Sequence, residues 1–407
     1  MLEWLQTEVF PAAVESGSFG AGAKFLGYDP SGQQDSDISD IFFGTVNVEL
    51  PDGGQLSERV YIKVQTKETK FYHLSHNIDA HFHNEVLFYT ELLPLLRKYD
   101  TENFLAGSIP EFVYGRSTLG AAPDQDVIVQ KDLSLKGFRM TKEKLFLDEK
   151  HVRLTVDRLA KFHALAIMCQ HEDPEAFNEV VSKIKATNLH GPSDGPKQKD
   201  PFDQIKFRGI NPLKEDPEYS ERLSEISRHC EWGASWLQKY MGPSDAINTL
   251  THGDLTRHNL MFRYDDQGEP VEVVLCDWAC IRYCTPVSDL SLFLILDTSP
   301  ELKRSHWDTF LSEYYSALSR VLDGHASKPS FEDLQLEMRK KGVYGYHWAV
   351  YMLPAGFETE LNHKMENTPL TELFQLLSEA GGPKATEYLT DIVKFMLDHE
   401  FIFEVDE

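Results

Sequence analysis

"THGDLTRHNLMF", Thr251–Phe262, sets His252, Asp254 and Asn259 at the spacing His-x-Asp-x-x-x-x-Asn. Phosphoryl transfer needs such a set: an aspartate to orient the acceptor hydroxyl and take its proton, and an oxygen ligand nearby for magnesium. The spacing nominates Asp254 as the base and Asn259 as the metal ligand, with His252 ordering the loop through backbone bonds. After a turn-forming "YDDQGEP", the apolar strand "VEVVLCDWA" ends at Asp277, a second hard oxygen ligand for a cation bridging nucleotide phosphates. Taken singly, these pieces have plainer explanations. An isolated His-Gly-Asp is usually a turn, and an aspartate at a strand end often caps the next element. Together and in this order they predict a kinase-type site.

Such a site needs a cation for the nucleotide phosphates, and "RVYIKVQ" offers Lys63 in the middle of a strand. A lysine there could equally lie on a solvated face. Glu85 shifts the balance. It falls on the apolar stripe of the next predicted helix, three residues after Phe82 and four before Tyr89, so its carboxylate points inward and requires a partner. Lys63 can supply one, as in the strand–helix Lys–Glu pair of kinases.

Around these residues, "ISDIFFGTVNVEL" and "RVYIKVQ", joined through "PDGGQ", predict an antiparallel hairpin. A helix is expected from about Asp79 to Lys98, then a strand at "DVIVQ" near Asp126. Beyond Lys131 the pattern turns mainly helical, beginning with "KHVRLTVDRLAKFHALAIMC", in which His163 lies on the apolar face as a hydrogen-bonded core residue. The shift suggests two units, 1–131 for nucleotide binding and 132–407 for catalysis and substrate binding. "HGPSDGPKQKDP", His190–Pro201, reads as a mobile surface loop.

Composition narrows the function classes. With 407 residues, 41% of them hydrophobic, the chain can bury a large core. A formal charge of −25 argues against nucleic acid and anionic membranes as general partners. Five cysteines are too sparse for a secreted disulfide framework. No basic-then-apolar leader opens the chain, and no run nears the roughly 18 apolar residues of a spanning helix. A soluble, cytoplasmic protein is expected. Cys276, Cys280 and Cys284 lack the paired spacing of zinc knuckles and are expected to be packing thiols. His73, His76, His81 and His83 are expected in a loop and on the polar side of the Glu85 helix, not around a metal.

Several of these segments occur together in one family. "YIKV" at Lys63, "FHNEVLFY" around Glu85, "KDLSLKGF" from Lys131, "LAKFHALA" around His163, "HGDLTRHNLMF" and "CDWACIRYCTPVSDLSLFL" keep their order from about Asp35 to Tyr315. In this the chain resembles the ecdysteroid kinase-like, or CHK-kinase-like, family, relatives of aminoglycoside phosphotransferases and choline kinases. The resemblance implies an α+β, bilobal, protein-kinase-like fold, with a small β-rich lobe, a large helical lobe and ATP between them. It also implies Asp254 as the catalytic aspartate, Asn259 and Asp277 as Mg2+ ligands, and Lys63 as the phosphate-binding lysine with Glu85 as its partner. Asp289 matches the family's aspartate after the metal strand and is expected to brace the catalytic loop; an N-cap for the helix through Leu290 and Phe293 is the plainer alternative.

The chain also departs from the family pattern. The phosphate loop, in the family roughly Gly-Asp-Asn-Tyr-x-Ser, here reads "QDSDIS", in which Asp35 and Ser39 align but no glycine does. Lys131-Asp132-Leu133 replaces Glu-Asp-Leu, and Trp278-Ala279 replaces Phe-Gln. Two functions therefore compete: an ATP- and Mg2+-dependent kinase for a small-molecule alcohol, ecdysteroid-like or otherwise lipophilic, and a catalytically weak pseudokinase acting as a binding protein. A metal-dependent hydrolase is a more distant third. A small-molecule alcohol is the partner expected, and the sequence leaves any obligate protein partner open. The aromatics of "VYGYHWAVYMLPAGF", Val343–Phe357, fit an apolar acceptor pocket or ordinary helix packing.

Overall fold

Strand β1 (Lys24–Asp35), β2 (Ser39–Glu49) and β3 (Gln55–Gln65) form an antiparallel meander, and β4 (Phe112–Arg116) and β5 (Val127–Lys131) complete a five-stranded sheet in the order β1-β2-β3-β5-β4. The computed structural model describes residues 1–35, 39–65, 77–187, 205–231, 240–358, 360–366, 368 and 370–403. The loop expected over 190–201, with His73 and His76, lies outside the described residues.

The predicted hairpin is present, with Ile41 opposite Lys63, and β3 begins earlier than expected, at Gln55. Strand β1 has no counterpart among the sequence expectations. Its "KFLGYDPSGQQD" carries Gly27, Pro30 and Gly32, which read as turn residues. It tolerates them because it is an edge strand whose pairing with β2 breaks register between Phe25 and Gly27 and again between Pro30 and Gly32.

The pleat of β3 decides where its lysine goes. Val60, Ile62 and Val64 point to one face, where they are buried with Val46, Val48, Val127, Val129 and with Leu5 and Phe10 of an amino-terminal helix, α1 (residues 2–15). Lys63 therefore projects from the opposite face, with Ser39, Ile41 and Gln65. Helix α2 (residues 78–97) covers that face, close to the predicted span, and is capped by Asn77, whose side chain accepts from the Ala80 N–H at 3.3 Å.

The rest of the chain is mainly helical. Helix α3 (Glu149–Glu172), α4 (Val287–Leu296), α5 (Pro300–Val321), α6 (Val343–Phe357) and α7 (Gly382–Asp398) enclose one large apolar cluster. Phe88, Leu92 and Leu96 of α2 also pack into it, which ties the helix over the sheet to the helical region. Close packing of α6 on α4 depends on Gly345, where a Cβ would lie 2.3 Å from the Ser291 carbonyl oxygen. Most of the 343–357 aromatics serve this packing: Tyr344 and Tyr346 are fully buried, while Trp348 is only partly so. The architecture is α+β, an antiparallel sheet region followed by a helical one. No helix among the described residues is long and apolar enough to cross a membrane.

Short strands interrupt the helical region and carry most of the chemistry. Strands β6 (Phe138–Arg139), β8 (Leu260–Tyr264) and β9 (Pro270–Leu275) make one antiparallel sheet; β7 (Thr249–Thr251) and β10 (Arg282–Cys284) make another. The "VEVVLC" strand ends at Leu275, so Cys276, Cys280 and Cys284 do not share a strand face. All three are free thiols, Cys284 buried and the others half-buried.

Candidate active site

The turn between β7 and β8 brings His252, Asp254 and Asn259 together, and glycine is required inside it. Gly253 has φ +82°, and a Cβ there would stand 1.9 Å from the Cys280 carbonyl oxygen. Asn259 donates through Nδ2 to the Asp254 carbonyl (2.8 Å) and to its Oδ2 (3.0 Å). That orientation leaves Asn259 Oδ1 as a free acceptor among the described residues. His252 Nε2 meets the Cys276 carbonyl at 2.8 Å, joining this loop to the segment that carries Asp277.

Asp289 sits beneath the loop. Its carboxylate accepts the backbone N–H groups of His252 (2.6 Å) and Gly253 (2.8 Å) and lies 3.2 Å from His163 Nε2. His163 Nδ1 in turn contacts the Tyr314 hydroxyl at 2.7 Å, so this histidine is the hydrogen-bonded core residue expected. Burial alone would raise the Asp289 carboxyl; the His163 bond, its charge and the loop's donors hold it below the usual carboxylate value. The N-cap alternative does not apply, since Asp289 lies within α4, after Val287, and bonds the catalytic loop instead of its own helix.

Asp277 follows β9 in a left-handed conformation, φ +62° and ψ +73°, which aspartate tolerates better than most residues. Its Oδ1 is 3.0 Å from Lys63 Nζ, and the same Nζ is 3.0 Å from Glu85 Oε2. Gln130 of β5 supports Glu85 through Nε2 at 3.3 Å. Burial by itself would lower the Lys63 pKa, but Asp277 and then Glu85 more than offset it, leaving the ammonium firmly charged. Asp277, which burial would raise, is held below its ordinary value by Lys63. Asp254 has no such cation in contact; burial and the neighbouring Asp277 carboxylate both push it up.

Ser39 opens β2, buried and on the Lys63 face. Asp35 ends β1 opposite Asp40, and its side chain lies outside the described residues. The histidine expectation needs correction at His81, which is 7% exposed and not on a polar face, with Nδ1 3.8 Å from Cys280 Sγ. It turns inward because the segment 278–280 packs directly on α2, where Asn84 Nδ2 also donates to the Ala279 carbonyl at 3.2 Å. His83 is half-buried, its Nε2 2.9 Å from the Lys183 carbonyl.

The departures from the family pattern are also located. Trp278 is fully buried, stacks on Phe88 at 4.1 Å with rings 5° apart, and donates Nε1–H to the Leu275 carbonyl. Lys131 sits at the rim of the sheet, paired with Glu58 (3.1 Å) and Glu111 (3.2 Å). Sequence reasoning missed Asn84, Gln130 and the buried pair of Arg257 with Asp297, 3.0 Å apart. The only signal for Gln130 was a polar residue closing the apolar run "DVIV".

A sequence profile of the ecdysteroid kinase-like family matches residues 34–325, most of the chain. None of the curated proteins compared matches. Among solved structures the chain is similar to the amicoumacin kinase hAmiN in complex with AMP-PNP, Ca2+ and Ami, with a TM-score of 0.44 and 13% identity over 93% of this chain and 90% of that one. It is similar also to the microcompartment-associated aminopropanol kinase (0.39, 11%, 93% and 95%). A choline/ethanolamine kinase family protein from Mesorhizobium loti gives 0.35 and 12% over 95% and 98%.

Proposed function

The chain belongs to the ecdysteroid kinase-like family, and from that premise we propose that it transfers the γ-phosphoryl group of ATP to a hydroxyl of a small lipophilic alcohol, such as an ecdysteroid. Family membership supports the broader activity, small-molecule phosphotransfer. The observation that carries the proposal is the position of Lys63 Nζ, 3.0 Å from both Glu85 and Asp277. One ammonium thereby joins the sheet, its covering helix and the segment after β9, as a kinase requires of its phosphate-binding lysine.

In this proposal Glu85 aims Lys63 at the nucleotide phosphates, and Asp35 at the end of β1 and Ser39 at the start of β2 contribute to binding them. Asp277 and Asn259 Oδ1 offer only oxygen donors, which suits a hard divalent cation such as Mg2+. When bound, Mg2+ supplies charge neutralisation on the phosphates. Asp254 orients the acceptor hydroxyl and takes its proton, and burial, the largest influence on its carboxyl, favours that uptake. His252 and Asp289 hold the loop in place. The proposal keeps 1–131 as the nucleotide-binding part and 132–407 as the catalytic part.

The pseudokinase reading loses one of its two motives here, because Trp278 is a packing residue turned into the core. Its other motive, the phosphate loop, includes residues 36–38, outside the described residues. The decisive experiment measures ATP turnover with Mg2+ across a panel of sterols, phenols, choline and aminoglycosides. Turnover should rise with a hydroxylated lipophilic compound. Asp254→Asn should reduce it by about 10²–10⁴-fold while keeping the nucleotide-induced thermal shift. Absence of any such shift at millimolar Mg-ATP in the native protein would sink the kinase proposal.

A further inference from the structure

Arg282 stands out as a cation without an anion. It opens β10 directly opposite Thr251, from which the chain runs through His252 and Gly253 to Asp254. Its positive charge is felt at Asp254. The guanidinium approaches from the helical side, where Nη1 donates to the Tyr344 hydroxyl of α6 at 3.1 Å. Lys63 approaches from the sheet side and is fully ion-paired. Among the described residues Arg282 makes no ion pair, and Tyr344 is its only side-chain hydrogen-bond partner. The rest of this half-buried guanidinium meets no protein acceptor among the described residues and is not sealed off, so its N–H groups are open to a ligand.

A second donor lies beside it. Trp348, one turn further along α6, has its ring 6.3 Å from that of Tyr344, and its buried Nε1–H is turned towards the Tyr344 hydroxyl. Guanidinium and indole N–H are donors only, and the rings between them are apolar. The open guanidinium, set in place by the buried Tyr344 hydroxyl and the indole beside it, recognises an oxygen that can only accept, and its charge repels an ammonium group.

We propose that Arg282, Tyr344 and Trp348 form the acceptor subsite, which takes an alcohol bearing a carbonyl or carboxylate oxygen and turns away amino alcohols. This rests on the phosphotransferase proposal for the identity of the reacting hydroxyl.

The test compares 4-(hydroxymethyl)benzoate, 4-(hydroxymethyl)acetophenone and 4-(hydroxymethyl)benzylamine, which share one reacting alcohol and differ only in the opposite group. Phosphate transfer from ATP is read as kcat/KM, and binding to the AMP-PNP and Mg2+ form is read by calorimetry. The native protein should favour the benzoate or the ketone over the amine by about tenfold, the scale of one charge-assisted hydrogen bond. Arg282→Gln should bring the three within about threefold, and Arg282→Lys should still reject the amine. Binding with this preference but no transfer would uphold the subsite and overturn phosphotransfer. The subsite is overturned if the native protein accepts the amine as well as the benzoate, if none of the three binds or reacts, or if Arg282→Gln retains its melting temperature and the full preference.

Discussion

Two aspartates, Asp289 fully buried and Asp277 half-buried, flank the His252–Asn259 loop and are held in opposite ways. Asp289 is fixed by two backbone N–H groups and a core histidine, none of which can leave without unfolding the turn. Asp277 has one strong partner, the flexible Lys63 side chain, which it shares with Glu85. A group tied to backbone keeps its geometry, whereas Asp277, which in the proposed reaction would exchange the lysine for a divalent cation, is tied to a side chain able to move.

Removing the fixed aspartate should therefore do the most damage. Asp289→Ala strands two buried backbone donors and His163, and should lower stability by about 3–5 kcal/mol, taking turnover with it. Denaturant titration measures this; a loss below 1 kcal/mol would erase the contrast. Glu85→Gln should be milder, about 1–2 kcal/mol, because Lys63 keeps Asp277. Its larger effect should be kinetic, a rise in KM for ATP without a matching fall in kcat.

A third ion, buried and without an opposite charge beside it, sharpens the comparison. Among the described residues the Lys303 ammonium donates only to the Ile295 carbonyl, at 2.9 Å, and burial, helped by neighbouring Arg304, lowers its pKa to about 7. The unfolded chain protonates this lysine up to about pH 10.4, so between roughly pH 7 and 10 the unfolded state binds more protons. Stability should rise with pH across that window and be flat in this term below it. Lys303→Met should remove that part of the slope, seen as a difference between paired denaturation curves at pH 6.5 and 9. The smallest effect is expected at Trp278→Phe, about 1 kcal/mol for the lost Leu275 bond, with turnover within about twofold of native. A large gain in turnover would instead make Trp278 a brake on catalysis.

Where periodicity is strong, the sequence was legible. The stripe through Phe82, Glu85 and Tyr89 turned Glu85 inward and through its need for a partner pointed to Lys63, which the burial of Val60, Ile62 and Val64 on one face of β3 sets on the other. Strand β1 was hidden by Gly27, Pro30 and Gly32, because a bulged edge strand tolerates what a central strand does not. His81 was assigned to a polar face because only the packing of segment 278–280 on α2 buries it. Asp289 was legible as a brace, but its freedom from capping duty depended on where α4 begins.

The sequence by itself determined the chemistry available: the spacing of His252, Asp254 and Asn259, the strand ending near Asp277, and a lysine and a glutamate on inward faces. These follow from local geometry, in which side-chain direction repeats every two residues in a strand and every 3.6 in a helix. Only the tertiary structure decided who meets whom. That Lys63 pairs with Asp277, 214 residues away, and that Arg282 meets Tyr344 but no carboxylate, depend on packing between distant segments. Periodicity tells a residue which way to face, and the closure of long loops over a common core decides what it faces.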